Sequence, residues 1–112
     1  MGGELSDLGR FSDPSLLILA SLAGGPKHGY SMMVDIETMA GIHLGPGTLY
    51  GALSRLEQRG LIEPLPAEDR RRPYRLTGLG AQALREHLRA LGALAETGLR
   101  RLGEAHLWEA RI

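Results

Sequence analysis

The chain has 112 residues, 13 basic and 13 acidic side chains, and 43% hydrophobic content. That is one domain of ordinary globular composition, and zero formal charge excludes a generally basic nucleic-acid coat protein while leaving room for a local basic patch. With no cysteine, disulfides, thiol catalysis and cysteine-based zinc sites are excluded. His28, His43, His87 and His106 lack ligand spacing, so neither a metal nor another cofactor is expected.

Residues 1–11 are glycine-rich and polar, with Leu5, Leu8 and Phe11 at helical spacing, and read as an arm spanning residues 1–13. Ser12-Asp13-Pro14 is a helix start, because Asp13 caps and Pro14 suits the first helical position. A first helix, apolar almost all round, is expected over Pro14–Leu22. Its apolar run, Leu16–Ala20 and on to Ala23 with Ser21 interrupting, falls far short of the ~20 residues that cross a bilayer. No basic segment precedes an apolar one at the N-terminus, so no secretory signal is expected and the cytoplasm is the default location.

A second helix is expected from His28 or Gly29 to Met39, with Tyr30, Met33, Val34 and Ile36 as its apolar contacts and Gly41 as its stop. Gly45-Pro46-Gly47-Thr48 forms a turn that opens a third helix. There Leu49, Leu53 and Leu56 make one packed stripe, and Gly60 ends it. Leu61–Leu65 and Arg72–Leu76 are strand candidates. Both contain proline, which assigns them to an edge or a loose hairpin. From Gly78 the pattern is helical. Ala81, Leu84, Leu88, Leu91, Ala95, Gly98, Leu102 and Ala105 step by three and four, a heptad-like seam. Gly92, Gly98 and Gly103 leave open whether this is one helix or two.

Charge is uneven along this plan. Residues 1–54 carry two basic against five acidic side chains, residues 55–75 six against four, and residues 76–112 five against four. The positive charge gathers where the third helix and the hairpin lie. The expected architecture is mainly α with a small β-hairpin. It is a winged helix-turn-helix over residues 14–77 followed by a C-terminal dimerisation helix over residues 78–112. A slim third helix fits the major groove, about 12 Å wide, and an arginine fork matches phosphate and guanine edges. Singly, each signal has a plainer reading. Arg70, Arg71 and Arg72 also suit a solvated turn, Tyr50 a core aromatic, and the leucine seam internal packing.

The stretch Leu17–Gly29 with Gly25-Pro26-Lys27-His28-Gly29-Tyr30 resembles the opening of the PadR family of bacterial transcriptional regulators. So do Gly45-Pro46-Gly47-Thr48-Leu49-Tyr50, Gly60-Leu61-Ile62 and Arg72-Pro73-Tyr74-Arg75-Leu76-Thr77. The resemblance covers about residues 16–91. It implies a dimeric winged-helix regulator, usually a repressor, that binds double-stranded DNA at a pseudo-palindrome. Carried onto this chain, it puts the recognition helix at Gly47–Arg59. Tyr30, Thr48, Tyr50, Ser54 and Arg55 become groove or phosphate contacts, and Arg70, Arg71 and Arg72 the wing tip. Leu84, Leu88, Leu91, Ala95 and Leu102 become the homodimer seam. The chain departs from the family pattern at Gly45, Gly51 and Gly78. Where some relatives place an aromatic that sandwiches planar drugs, it has Leu91. A small-molecule effector site would draw on Leu8, Phe11, Leu88, Leu91 and Trp108, whose plainer reading is core.

Two other functional classes stand beside this reading. A protein-interaction module that keeps the winged-helix shape without DNA binding suits the mildly acidic first half. An enzyme does not fit. The glycines at 24 and 29 outline a phosphate loop, but Tyr30-Ser31 stands where Lys-Ser/Thr is needed, and no catalytic residue is assigned.

Overall fold

The structure, a computed structural model, describes residues 13–110, with side chains through residue 104. Its elements are α1 (Pro14–Leu22), β1 (Lys27–His28), α2 (Gly29–Ala40), α3 (Pro46–Gln58), β2 (Ile62–Pro64), β3 (Pro73–Leu76) and α4 (Gly78–Ala110). Residues 1–12 of the expected arm therefore lie outside the described residues.

Local chemistry sets the helix bounds. Asp13 Oδ1 accepts the Ser15 N–H at 3.0 Å, and Pro14 follows the cap. Gly41 ends α2 with φ 68°, and its N–H donates to the Glu37 carbonyl at 2.9 Å. That left-handed backbone suits glycine. Thr77 starts α4: its Oγ1 accepts the Gly80 N–H at 3.0 Å and donates to the Gly60 carbonyl at 2.6 Å.

Leu49, Ala52, Leu53 and Leu56 of α3 are buried together with Ile18 and Leu22 of α1, Met32 and Ile36 of α2, and Ile62 of β2. Burying each large side chain here contributes about 1.5–3 kcal/mol. The α3 stripe follows its expected phase. In α2 the buried pair is Met32 and Ile36, whereas Tyr30 is 65% and Val34 48% exposed. Residues i and i+4 share a helix face, and that face is turned to α1. Ser21, 1% exposed, donates to Asp35 Oδ2 at 2.6 Å, and Lys27 Nζ donates to the Ser21 carbonyl at 2.6 Å. This polar clasp ties α1, β1 and α2 together.

The expected two-stranded hairpin is a three-stranded antiparallel sheet in the order β1-β3-β2. Lys27 pairs with Tyr74 and His28 with Pro73, while Ile62 pairs with Leu76 and Glu63 with Arg75. The proline-bearing β3 is thus central and not an edge. Pro73 is its first residue and uses only its carbonyl, which accepts the Leu65 N–H at 2.8 Å.

The long C-terminal segment is one helix of 33 residues. Its first turns pack on α1 and β3. A Cβ on Gly80 would overlap the Leu61 carbonyl oxygen and come within 2.9 Å of its carbon, so only glycine lets α4 approach this closely. Farther along, Leu94, Leu99 and Leu102 are 69%, 70% and 68% exposed. No helix among the described residues is long and apolar enough to cross a membrane.

Candidate nucleic-acid interface

Two motifs converge on one face. Helix α3 presents Thr48, Tyr50, Ser54 and Arg55, all exposed, opposite its buried leucines. Its N-cap, Gly45, makes no side-chain cap hydrogen bond, and Pro46 follows at the first helical position. Gly51 leaves room for the Arg55 guanidinium, whose Nη1 lies 3.5 Å from where a Cβ would stand.

The Tyr50 ring folds back toward the start of α2. A side chain at Gly29 would collide with it, the phenol carbon lying 2.9 Å from an ideal Cβ. The spacing His-Gly-Tyr therefore does specific work. Gly29 seats Tyr50, while His28 and Tyr30 flank it.

The wing supplies the opposite wall. Its tip is a two-residue turn in which Glu68 and Arg71 exchange backbone hydrogen bonds at 2.7 Å each way. Asp69 and Arg70 hold φ of 46° and 69°, the pattern of a type I′ turn. Only Arg70 of the arginine run sits at the very tip. Arg71 leans back, its Nη1 3.3 Å from His28 Nε2, and Arg72 donates to the Leu65 carbonyl at 3.3 Å. All three stay exposed. A guanidinium has five N–H donors, so one internal hydrogen bond leaves most of the fork free.

The result is a cleft of about 370 Å³ lined by His28, Gly29, Tyr30, Tyr50, Arg70, Arg71, Arg72 and Tyr74. Three phenols and three guanidiniums face it, and no carboxylate lines it. Glu68 and Asp69 border a separate cleft with His28, Arg71 and Pro73. Tyr74 has its phenol pushed above the ordinary 10.0, chiefly by burial and then by Glu57, with Arg72 opposing. It therefore stays a neutral donor at working pH. Arrayed phenol and guanidinium donors along the helix-and-wing face suit a polyanion.

Sequence reasoning assigned Tyr30, Tyr50 and Arg70–Arg72, and the structure brings these together. Thr48, Ser54 and Arg55 lie along the same helix outside that cleft. His28 and Tyr74 were missed. Both belong to the three-stranded sheet, whose first strand of two residues is too short to show periodicity. Of the expected effector residues, Leu88 and Leu91 lie on α4, while Leu8 and Phe11 lie outside the described residues, as does the side chain of Trp108. A groove of about 140 Å³ lies between α1, the end of α3 and α4, floored by Leu16, Leu19, Leu56 and Leu84.

Fold and site define a winged helix-turn-helix protein. The family model described as "Transcriptional regulator PadR-like family" matches residues 18–86, and the chain belongs to that family, whose members are transcriptional regulators and not enzymes. It is 39% identical over 94 residues to "Transcriptional regulator Rv3488" of Mycobacterium tuberculosis, covering 81% of this chain and 85% of the relative. It is 43% identical over 86 residues to an uncharacterized 37.1 kDa protein in transposon TN4556 of Streptomyces fradiae. That match takes in 77% of this chain and spans a quarter (25%) of the longer relative. The fold is similar to a PadR family transcription regulator from Clostridium difficile, with TM-score 0.71, 23% identity, and coverage of 80% of this chain and 97% of that one.

Proposed function

We propose that this PadR-like regulator binds double-stranded DNA as a homodimer and acts as a repressor at a pseudo-palindromic operator. The observation that carries the reading is the carboxylate-free cleft of three tyrosines and three arginines beside the exposed face of α3. In this reading Thr48, Tyr50, Ser54 and Arg55 face the groove. Tyr30 and Arg70–Arg72 take phosphates, which fix position without reading sequence.

The far part of α4 supports the homodimer. Leu88, Leu94, Leu99 and Leu102 stand exposed on a helix that leaves the body behind. A second copy covers them along Leu88, Leu91, Ala95 and Leu102, while Leu84 is already buried in the chain's own core. Paired recognition helices then meet successive major grooves about 34 Å apart. The groove by Leu16 and Leu84 is smaller than ordinary ligand sites of ~300–1,000 Å³. A releasing effector of drug size therefore needs walls from the second copy.

The test is a salt titration of binding to duplex DNA from the chain's own upstream region. We expect log K to fall linearly with log salt, each neutralised phosphate contributing about −0.9 to the slope. Failure to bind any duplex at low salt would favour a protein-interaction module instead.

A further inference from the structure

We infer that His28 is a positioning residue that holds the Arg71 guanidinium over the cleft, setting the wing before DNA arrives; the inference rests on the DNA-binding reading above. Arg71 Nη1 lies 3.3 Å from His28 Nε2. A guanidinium only donates, so Nε2 must be the acceptor and the ring proton sits on Nδ1. The same ring reaches Ser31: the Ser31 amide lies 3.4 Å from Nδ1, and the hydroxyl 3.1 Å from Nε2. A neutral imidazole has one acceptor nitrogen. It either caps the Ser31 amide or holds Arg71, and the charge-assisted bond is the stronger choice. Nδ1–H then faces the Ser31 hydroxyl at 3.5 Å.

The backbone supports this pairing. His28 is in register with Pro73, two residues beyond Arg71, so the ring lies at the end of the sheet from which the wing turn carrying Arg71 springs. The surrounding charges are Arg70, Arg72, Glu68 and Asp69 on the wing. An arginine already held in place loses less freedom on meeting a phosphate.

His28→Ser removes the Arg71 acceptor yet leaves a residue able to cap the helix start, because serine is a good N-cap but is too short to reach Arg71. With the full chain and a labelled random-sequence duplex, we expect the variant to melt like the wild type and bind roughly two- to fivefold more weakly. In an Arg71→Ala background the same change should have no further effect. Equal affinity of His28→Ser and wild type, or the same loss in both backgrounds, would overturn the inference. A readout on the free protein keeps the two readings apart. NMR order of the Arg71 Nε–H should fall in His28→Ser, and unchanged order refutes the coupling even if no duplex binds at all. Absence of duplex binding by the wild type sinks the DNA reading alone.

Discussion

At the scale of single residues, the most constrained position is Gly80, where α4 rides on the Leu61 carbonyl. Gly80→Ala should cost about 1–3 kcal/mol through overpacking. A thermal melt should show it as a fall of several degrees, while Gly78→Ala, with open space around its Cβ, leaves the midpoint near that of the wild type. Tyr74 makes a second prediction. Its phenol is pushed above 10.0 in the fold, mainly by burial, so the unfolded chain releases the proton first. Stability is full below about pH 10 and declines as pH rises through the raised value. Tyr74→Phe should flatten that decline in denaturant titrations above pH 10. Both positions fall within the resemblance to the family pattern, but the sequence gives no physical reason for either. Gly80 is one glycine among 16, and what makes it special is a carbonyl 19 residues away. Tyr50 was legible as a candidate interface residue, but not the reason Gly29 precedes Tyr30, which is the ring lying over it.

At the scale of elements, capping and periodicity carried the helices. Asp13-Pro14, Gly41 and Pro46 sit at their expected ends, and the Leu49-Leu53-Leu56 stripe has its expected face. The sheet was half legible. Two residues are too few for an alternating pattern, so β1 was invisible and proline misplaced β3 at an edge. The wing turn is the place to test local chemistry. Asn-Gly is favoured in type I′ turns, so Asp69→Asn with Arg70→Gly should raise the melting temperature. The same double variant should weaken duplex binding, with the salt slope smaller by about 0.9 if Arg70 meets one phosphate. In α4, Gly92→Ala and Gly103→Ala have room for a methyl and should each gain up to roughly 1 kcal/mol. Gly98 belongs to the leucine seam. There the methyl should hold paired helices apart, and sedimentation should show weaker self-association.

At the scale of the whole molecule, the described residues extend 65 × 30 × 20 Å, because α4 projects beyond the packed body. The heptad-like seam raised the expectation of a dimerisation helix. The structure adds that Leu84 is spent on the chain's own core, while Leu88 and Leu102 are 46% and 68% exposed. Leu88→Glu with Leu102→Glu should leave a folded but single-subunit protein. Its melting midpoint would no longer rise with protein concentration, as mass action requires of a dimer. Its affinity for the operator should fall while the helix-and-wing face stays intact. Unchanged sedimentation of this variant would refute the proposed seam.

The tight seat of α4 has a mechanical corollary. Thr77 and Gly80 clamp the near end of a rod that, at 1.5 Å per residue, is roughly 50 Å long. Such a rod is a lever with its fulcrum beside the last turn of α3. Pushing the distant tip sideways by about 3 Å would rotate the fulcrum by only a few degrees, yet the same angle reorients the reading head as a rigid unit. Under the proposed function, control of gene access is then exerted far from the operator, without any ligand approaching the tyrosines and arginines proposed to touch it.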